Sequence, residues 1–144
     1  HPGRDGRRGR ATGAWLVSAH DTDDGAARRV EKPWGHELIW ADTGRYAGKL
    51  LFIEAGKRLS LQRHAVKDES ILLMSGRFEL TLEDAAGTLL VEELGPGDHR
   101  RIPAGRIHRF AALEPCELIE VSTPELDDVI RLEDDFGREG TSAP

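Results

Sequence analysis

The sequence predicts an all-β fold, either a barrel or a sandwich. From Val30 onward the chain consists of short runs rich in Leu, Ile, Val and Phe. Gly, Pro and Asp separate these runs at short intervals, and no long segment has helical periodicity. Many short strands with turn signals at this spacing are typical of all-β domains. The length of 144 residues fits one compact domain.

The apolar runs define the elements in chain order. Strands are predicted at 36–40, 46–54, 58–64, 69–75, 77–83, 88–94, 99–103, 107–112 and 116–122. Turn signals such as Ser75-Gly76 and Gly95-Pro96-Gly97 lie between them. A short helix is predicted near Glu125 to Leu132, because Thr123 is a suitable N-cap and Pro124 suits the first helical position.

The change in composition near Val30 predicts the domain boundaries. Residues 1–29 are rich in Gly, Arg, Asp and Ala and lack periodicity, so we expect a flexible N-terminal tail. Its one apolar patch, Trp15-Leu16-Val17, is expected to dock on the domain or on a second subunit. The folded domain is predicted to span 30–138, followed by a C-terminal tail at 139–144.

Composition and charge exclude several classes of function. The net charge of −6 argues against nucleic acid as a partner. No apolar run approaches the roughly 20 residues of a membrane helix, and no secretory signal is recognisable, so a cytoplasmic protein is expected. Cys116 is the single cysteine, which excludes an intrachain disulfide and a Cys-rich zinc module.

Polar residues on the predicted strands indicate a metal site. Side chains alternate along a strand, so Arg58, Ser60, Gln62 and His64 would share one face. Glu69 opens an apolar strand, where an unpaired carboxylate is costly to bury, and His108 opens another. Imidazole, carboxylate and amide oxygen suit a divalent metal such as zinc or iron.

Two motifs in this chain resemble the cupin superfamily. The segment 56–76, Gly-Lys-Arg-Leu-Ser-Leu-Gln-Arg-His and onward to Glu69 and Gly76, is similar to the first cupin motif. The segment 97–108, from Gly97-Asp98 to His108, is similar to the second. The resemblance implies a double-stranded β-helix, also called a jelly-roll barrel.

A narrower resemblance points to one branch of the cupins. The sequences Lys32-Pro-Trp-Gly35, Leu59-Ser-Leu-Gln-Arg-His64 and Ile130-Arg-Leu-Glu-Asp-Asp-Phe-Gly-Arg138 resemble the isomerase domain of bifunctional mannose-6-phosphate isomerase/mannose-1-phosphate guanylyltransferases. This likeness covers residues 30–138 and implies a metal-dependent sugar-phosphate isomerase. It also implies one divalent metal, zinc first and iron, manganese or nickel as alternatives, held by Gln62, His64, Glu69 and His108.

The expected chemistry assigns roles to four further residues. An aldose–ketose isomerase needs a proton-transferring group, and Lys67 is a candidate if its pKa is lowered by burial and the cation. Arg131 is a second catalytic candidate, and Arg58 and Ser60 are candidates for substrate binding. The substrate expected is a phosphosugar or another sugar derivative.

Two other functions remain open at this stage. The same barrel hosts iron dioxygenases and lyases that act on small acids, and non-catalytic modules that bind a sugar or metabolite. We also expect a homodimer that pairs through edge strands, since covering an edge protects it.

Overall fold

The computed structural model describes residues 26–141, and these residues form an all-β fold, as predicted. Twelve strands follow one another along this range. They are β1 Arg28–Lys32, β2 Gly35–Asp42, β3 Ala47–Ile53, β4 Leu61–Arg63, β5 Glu69–Ser75, β6 Phe78–Glu83, β7 Leu89–Leu94, β8 His99–Ile102, β9 His108–Ala112, β10 Cys116–Ser122, β11 Ile130–Glu133 and β12 Gly140–Thr141.

The strands form two six-stranded sheets that pack face to face. The first sheet has the order β1-β2-β3-β10-β5-β8, and the second has the order β12-β11-β4-β9-β6-β7. Every pairing is antiparallel. Consecutive strands alternate between the two sheets along β3 to β6 and β7 to β10, which is the connectivity of a jelly roll.

The apolar core lies between the sheets. On β3, β5 and β10 the buried side chains alternate with more exposed ones, as the strand period requires. The first sheet contributes Leu51, Ile71 and Leu118, and the second contributes Phe78 and Phe110, whose rings meet edge to face with centroids 5.5 Å apart. These rows of apolar side chains occupy the middle of the barrel, and polar residues occupy the same inner face nearer one end.

The predicted helix near Glu125 to Leu132 is wrong. Residues 123–129 form turns, and β11 begins at Ile130. Hydrogen bonds with the loop after β4 hold this segment, because the Asp128 carboxylate accepts bonds from the backbone amides of Ala65, Val66 and Lys67. This tertiary contact outweighs the local signal of Thr123 and Pro124.

The strands extend past both predicted domain limits. β1 begins at Arg28 inside the predicted tail 1–29, and β12 at Gly140–Thr141 lies inside the predicted tail 139–144. The rest of both tails, including Trp15-Leu16-Val17, lies outside the described residues. Within residues 26–141 there is no helix with the length and apolarity needed to cross a membrane.

Candidate metal centre

His64, Glu69 and His108 meet inside the barrel, between the two sheets. His64 follows β4, Glu69 opens β5, and His108 opens β9 directly beside Gln62 of β4. All three side chains are buried. One carboxylate oxygen of Glu69 lies 3.5 Å from Nε2 of His64 and 3.3 Å from Nε2 of His108. The three ligand atoms all lie within 4.8 Å of one another.

The backbone fixes both imidazole rings so that Nε2 points at the carboxylate. Nδ1 of His64 donates to the carbonyl oxygen of Asp128 at 2.6 Å, and Nδ1 of His108 donates to that of Arg106 at 3.0 Å. A neutral ring that donates through Nδ1 presents a lone pair at Nε2. Two lone pairs and a carboxylate therefore converge, and Nε2 of His64 makes no hydrogen bond within the described part of the chain.

A divalent cation fits this convergence in both charge and dimensions. Four ligands held at about 2.05 Å around a tetrahedral zinc ion lie about 3.3 Å apart. The distances from Oε1 of Glu69 to Nε2 of His64, 3.5 Å, and to Nε2 of His108, 3.3 Å, agree with this separation between ligand atoms. The carbonyl partners of the two rings also match the common pattern in which a metal-binding histidine donates its other N–H to the protein. The residues present therefore fit a metal ion.

Gln62 and Ser60 lie beside the triad, as the polar stripe predicts. Nε2 of the Gln62 amide is 3.5 Å from Nε2 of His108, and Oε1 accepts a hydrogen bond from Oγ of Ser60 at 2.6 Å. Ser60 is buried and Gln62 is half-buried. Ser60 thus contacts the Gln62 amide and controls its orientation.

Lys67 is buried between two carboxylates. Its Nζ lies 3.2 Å from Glu69 and 3.4 Å from Glu120. Burial alone would lower the pKa of Lys67, but Glu120 and Glu69 together raise it above its ordinary value. The expectation that the pKa of Lys67 is lowered is therefore wrong as far as the residues of the chain are concerned. The reason is Glu120, a second carboxylate that strand β10 places beside Lys67 and that the sequence did not lead us to expect there.

The pKa values of the two carboxylates beside Lys67 are shifted in opposite directions. Burial favours a raised pKa for Glu69, but the Lys67 ammonium holds the pKa of Glu69 well below its usual value. Burial and the nearby Glu69 raise the pKa of Glu120, and Lys67 only partly offsets this. Glu69 is thus the ionised member, as a metal ligand must be.

The cavity beside the triad carries a surplus of positive side chains. It has a volume of about 50 Å³ and also contacts Gln62 and His64. The charged residues that line it are the cations Lys32, Lys49, Lys67, Arg131 and Arg138 and the carboxylates Glu37 and Glu120. Burial lowers the pKa of Lys32 against the attraction of Glu37, and the charges of Lys49, Arg131 and Arg138 lower it further.

Arg131 reaches this cavity and Arg58 does not. Arg131 lies on β11, pairs with Gln62 across the sheet, and is only 6% exposed. The prediction that Arg58 faces the cavity is wrong, because its guanidinium binds the Asp135 carboxylate at 2.7 and 2.9 Å on the surface. Strand alternation fails there since β4 begins only at Leu61, three residues after Arg58.

Several residues of the site were not predicted from the sequence. Asp128 holds the loop between His64 and Glu69 through its carboxylate and its carbonyl oxygen. Lys49 and Glu37 form a buried pair at 3.2 Å on neighbouring strands. The alternation of β2 and β3 places these two charges on the inner face, and this signal is visible in the sequence once the strand register is known.

A jelly-roll barrel with two histidines and a glutamate converging on its inner face defines a cupin domain with a metal-site geometry. Comparison with known proteins narrows this class. Residues 19–134 match the family model for the mannose-6-phosphate isomerase C-terminal domain. The chain therefore belongs to this family, as the motifs indicate.

The curated relatives that the chain is similar to include an alginate biosynthesis protein and a mannose-1-phosphate guanylyltransferase. The chain is 35% identical over 114 residues to the alginate biosynthesis protein AlgA of Pseudomonas aeruginosa, which covers 76% of this chain and 23% of AlgA. It is 32% identical over 135 residues to a mannose-1-phosphate guanylyltransferase of Sinorhizobium fredii, and this match covers 86% of this chain and 25% of that protein. The chain thus spans about a quarter of the length of these relatives.

Solved structures support the fold. KdgF from Halomonas sp. superposes with a TM-score of 0.60 and 25% identity, covering 74% of this chain and 94% of KdgF. An oxalate decarboxylase from Bacillus subtilis superposes with a TM-score of 0.67 and 20% identity, and the match covers 81% of this chain and 33% of the decarboxylase. The second likeness, at this identity, concerns the fold alone.

Proposed function

We propose that this domain is a metal-dependent sugar-phosphate isomerase of the mannose-6-phosphate isomerase type. The observation that carries the proposal is a cavity that reaches the metal triad at His64 and is lined by five cationic and two anionic side chains. A metal site alone would suit many cupin reactions. A surplus of fixed cations next to it favours an anionic substrate, and the family points to a phosphosugar.

In this proposal His64, Glu69 and His108 hold a zinc ion, with iron, manganese or nickel as alternatives. Gln62 supplies a fourth, neutral ligand after a half-turn of its amide, which brings Oε1 to the position of Nε2 and lets Nε2 donate to Ser60. When bound, such a metal polarises a substrate carbonyl and stabilises negative charge on its oxygen.

Lys32, Arg131 and Arg138 form the proposed phosphate subsite. The charges of Arg131 and Arg138 reach Lys32 strongly enough to lower its pKa, and burial and Arg138 lower that of Arg131. Three mutually repelling cations are stabilised when a dianion lies among them. Arg138 is oriented for this role by Asp134, which accepts its guanidinium bonds at 2.8 and 3.0 Å.

Lys67 and Glu120 are the proposed proton-transfer pair. Isomerisation moves a proton between adjacent carbons through an enediol, so it needs one group that gives a proton and one that takes it. The raised pKa keeps Lys67 as an ammonium, so Lys67 suits the role of the group that gives a proton to the substrate oxygen. Glu120 faces it in the cavity, and its raised pKa makes its carboxylate a stronger base than an ordinary glutamate.

A groove next to the cavity supplies room for a sugar. The inner cavity, at about 50 Å³, is smaller than a hexose phosphate. A groove of about 840 Å³ adjoins it and shares Glu37 and Leu126 with it. In the proposed complex the phosphate enters the cationic cavity while the rest of the sugar extends toward this groove.

The test is interconversion of mannose 6-phosphate and fructose 6-phosphate by the zinc-loaded chain. Arg131→Gln is expected to lower kcat/KM at least about tenfold, since it removes a charged contact to phosphate. The matched control is Arg77→Gln, because Arg77 pairs with Glu93 on the surface and should not affect the rate. Glu69→Gln should abolish both bound zinc and turnover.

Three other results would redirect or refute the proposal. Absence of turnover with zinc, iron, manganese and nickel would refute the isomerase. If mannose 6-phosphate still raised the thermal midpoint, a sugar-binding cupin would replace it. Oxygen consumption by iron-loaded protein with a small acid would favour the dioxygenase.

A cytoplasmic location stays a prediction.

A further inference from the structure

Glu37 lies where the inner cavity meets the groove beside it. Among residues 26–141, only Glu37 and Leu126 line both spaces. Leu126 is apolar, so Glu37 is the one charged residue of this range that the cavity and the groove share. Its side chain is only 5% exposed and points inward from β2. A ligand that extends from the cavity into the groove would therefore pass this carboxylate.

The strand register brings Glu37 together with two lysines. Glu37 lies opposite Leu51, and Ile39 lies opposite Lys49, so Glu37 and Lys49 are diagonal neighbours on the inner face of β2 and β3. Nζ of Lys49 donates to Oε1 of Glu37 at 3.2 Å. Nζ of Lys32 lies 4.0 Å from the same oxygen.

Neither stability nor anion binding explains a carboxylate at this place. Replacement of a buried ion pair by apolar side chains of similar size is often neutral or stabilising. Ile39 and Leu51 are buried beside Glu37 and Lys49, so this face of the sheet accommodates apolar side chains. A negative charge also repels an anion that enters the cationic cavity. A direct contact with another part of the ligand accounts for Glu37.

A carboxylate beside an anion site selects a particular kind of ligand. It accepts hydrogen bonds and donates none. Both lysines contact Oε1 of Glu37, so Oε2 can accept hydrogen bonds from a ligand. Lys32 belongs to the proposed phosphate subsite, and its short distance to Glu37 requires that the donors of the ligand lie close to the phosphate. Hydroxyl groups on the carbons nearest the phosphate meet this requirement.

We propose that Glu37 is a specificity-determining residue that accepts hydrogen bonds from hydroxyl groups of the substrate near its phosphate. The proposal rests on the proposed phosphosugar site and adds a requirement to it. The substrate must carry hydroxyls close to the phosphate, and an alkyl phosphate is rejected. A site that binds a substrate hydroxyl discriminates strongly against a ligand without it, because the polar group of the site is then left unpaired.

The test compares the binding of mannose 6-phosphate and n-butyl phosphate to the zinc-loaded chain by isothermal titration calorimetry. Both ligands are phosphate monoesters, but only the first carries hydroxyls. In Glu37→Gln the dissociation constant of mannose 6-phosphate should rise at least about tenfold, because a hydrogen bond to a charged group is lost. The dissociation constant of n-butyl phosphate should stay unchanged or fall, since the variant lacks a charge that repels phosphate. The matched control is Glu79→Gln, on the outer side of β6, which should change neither value.

A second variant keeps the test valid if Glu37→Gln does not fold. Glu37→Leu combined with Lys49→Met removes both members of the buried pair and leaves the net charge of the cavity unchanged. The preference for mannose 6-phosphate over n-butyl phosphate should fall at least about tenfold in this double variant. Far-ultraviolet circular dichroism and zinc content show whether each variant has folded.

Each outcome decides the proposal. A wild type that binds the two ligands equally well, or binds neither, would overturn it. The proposal also fails if the Glu37 variants keep the wild-type preference, or if Glu37→Gln raises both dissociation constants by the same factor, as a purely structural role would. The isomerase assay is independent of this comparison. Turnover without an effect of Glu37 on preference would refute only the role of Glu37, and loss of preference in a chain without turnover would refute only the isomerase.

Discussion

The geometry of the metal centre makes a quantitative prediction for Glu69→Gln. Glu69 supplies the only carboxylate of the triad. The distances from its Oε1 to the two histidine Nε2 atoms are those expected between two ligands of a tetrahedral zinc ion. We expect zinc to stabilise the wild-type protein, because the preformed site exists only in the folded chain. Glutamine is of the same size but carries no charge, so the variant should respond little to zinc.

The size of the effect follows from linkage. At a zinc concentration of one hundred times Kd, binding adds about 2.7 kcal/mol to the free energy of unfolding. The 116 described residues, at about 2.1 cal/mol/K each, give an unfolding entropy of about 0.24 kcal/mol/K. The thermal midpoint Tm should therefore rise by about 11 °C in the wild type.

Differential scanning calorimetry after removal and re-addition of metal measures this shift, and isothermal titration gives the stoichiometry and Kd. Glu79→Gln is the matched control, because Glu79 lies on the outer side of β6 and should retain the full shift. If Glu69→Gln gave the wild-type shift, Glu69 would not be a ligand. If zinc, iron, manganese and nickel all failed to stabilise the wild type, the metal centre itself would be refuted.

Three further predictions concern the groups that support the site and the fold. Lys67→Met leaves Glu69 and Glu120 facing each other without a cation and should lower the free energy of unfolding in urea by about 3–5 kcal/mol. Asp128→Asn should destabilise the protein at neutral pH. Burial opposes ionisation of Asp128, but hydrogen bonds from three backbone amides lower the pKa of its carboxyl below 3.8. The ionised carboxylate therefore stabilises the folded protein above a pH of about 4, and this stabilisation is lost as the pH falls through the folded-state pKa. The difference in unfolding free energy between wild type and Asp128→Asn should therefore shrink in acid. Gly76→Ala should cost more stability than Gly56→Ala, since both have positive φ (+89° and +80°) but only at Gly76 would the new Cβ meet backbone, 2.2 Å from the Pro115 oxygen.

Controls separate these effects from general damage. Adding Glu120→Gln to Lys67→Met should recover part of the lost stability, and no recovery would mean that carboxylate repulsion is not the cause. A constant difference between wild type and Asp128→Asn from neutral to acid pH would contradict the role of the Asp128 charge. Equal costs for Gly76→Ala and Gly56→Ala would show that backbone strain, and not the contact with Pro115, limits the turn after β5.

The fold and the metal triad could be read from the sequence because their signals are local. The alternation of apolar residues along segments such as Ile71 to Met74 predicts strands, and Gly and Pro mark the turns between them. The resemblance to the cupin motifs singles out His64, Glu69 and His108, and the structure brings these three side chains together, while metal binding itself stays a prediction. The all-β fold is confirmed because neighbouring residues determine where most of the strands and turns form.

Contacts between distant segments decided the rest. Residues 123–129 form an irregular loop instead of a helix, because the Asp128 carboxylate accepts hydrogen bonds from amides 61 to 63 residues earlier in the chain. Asp135 binds Arg58 at the surface, and Glu120 raises the pKa of Lys67. A charged side chain has no fixed partner in the sequence, and only the packing of strands from both sheets decides which charges meet inside the barrel.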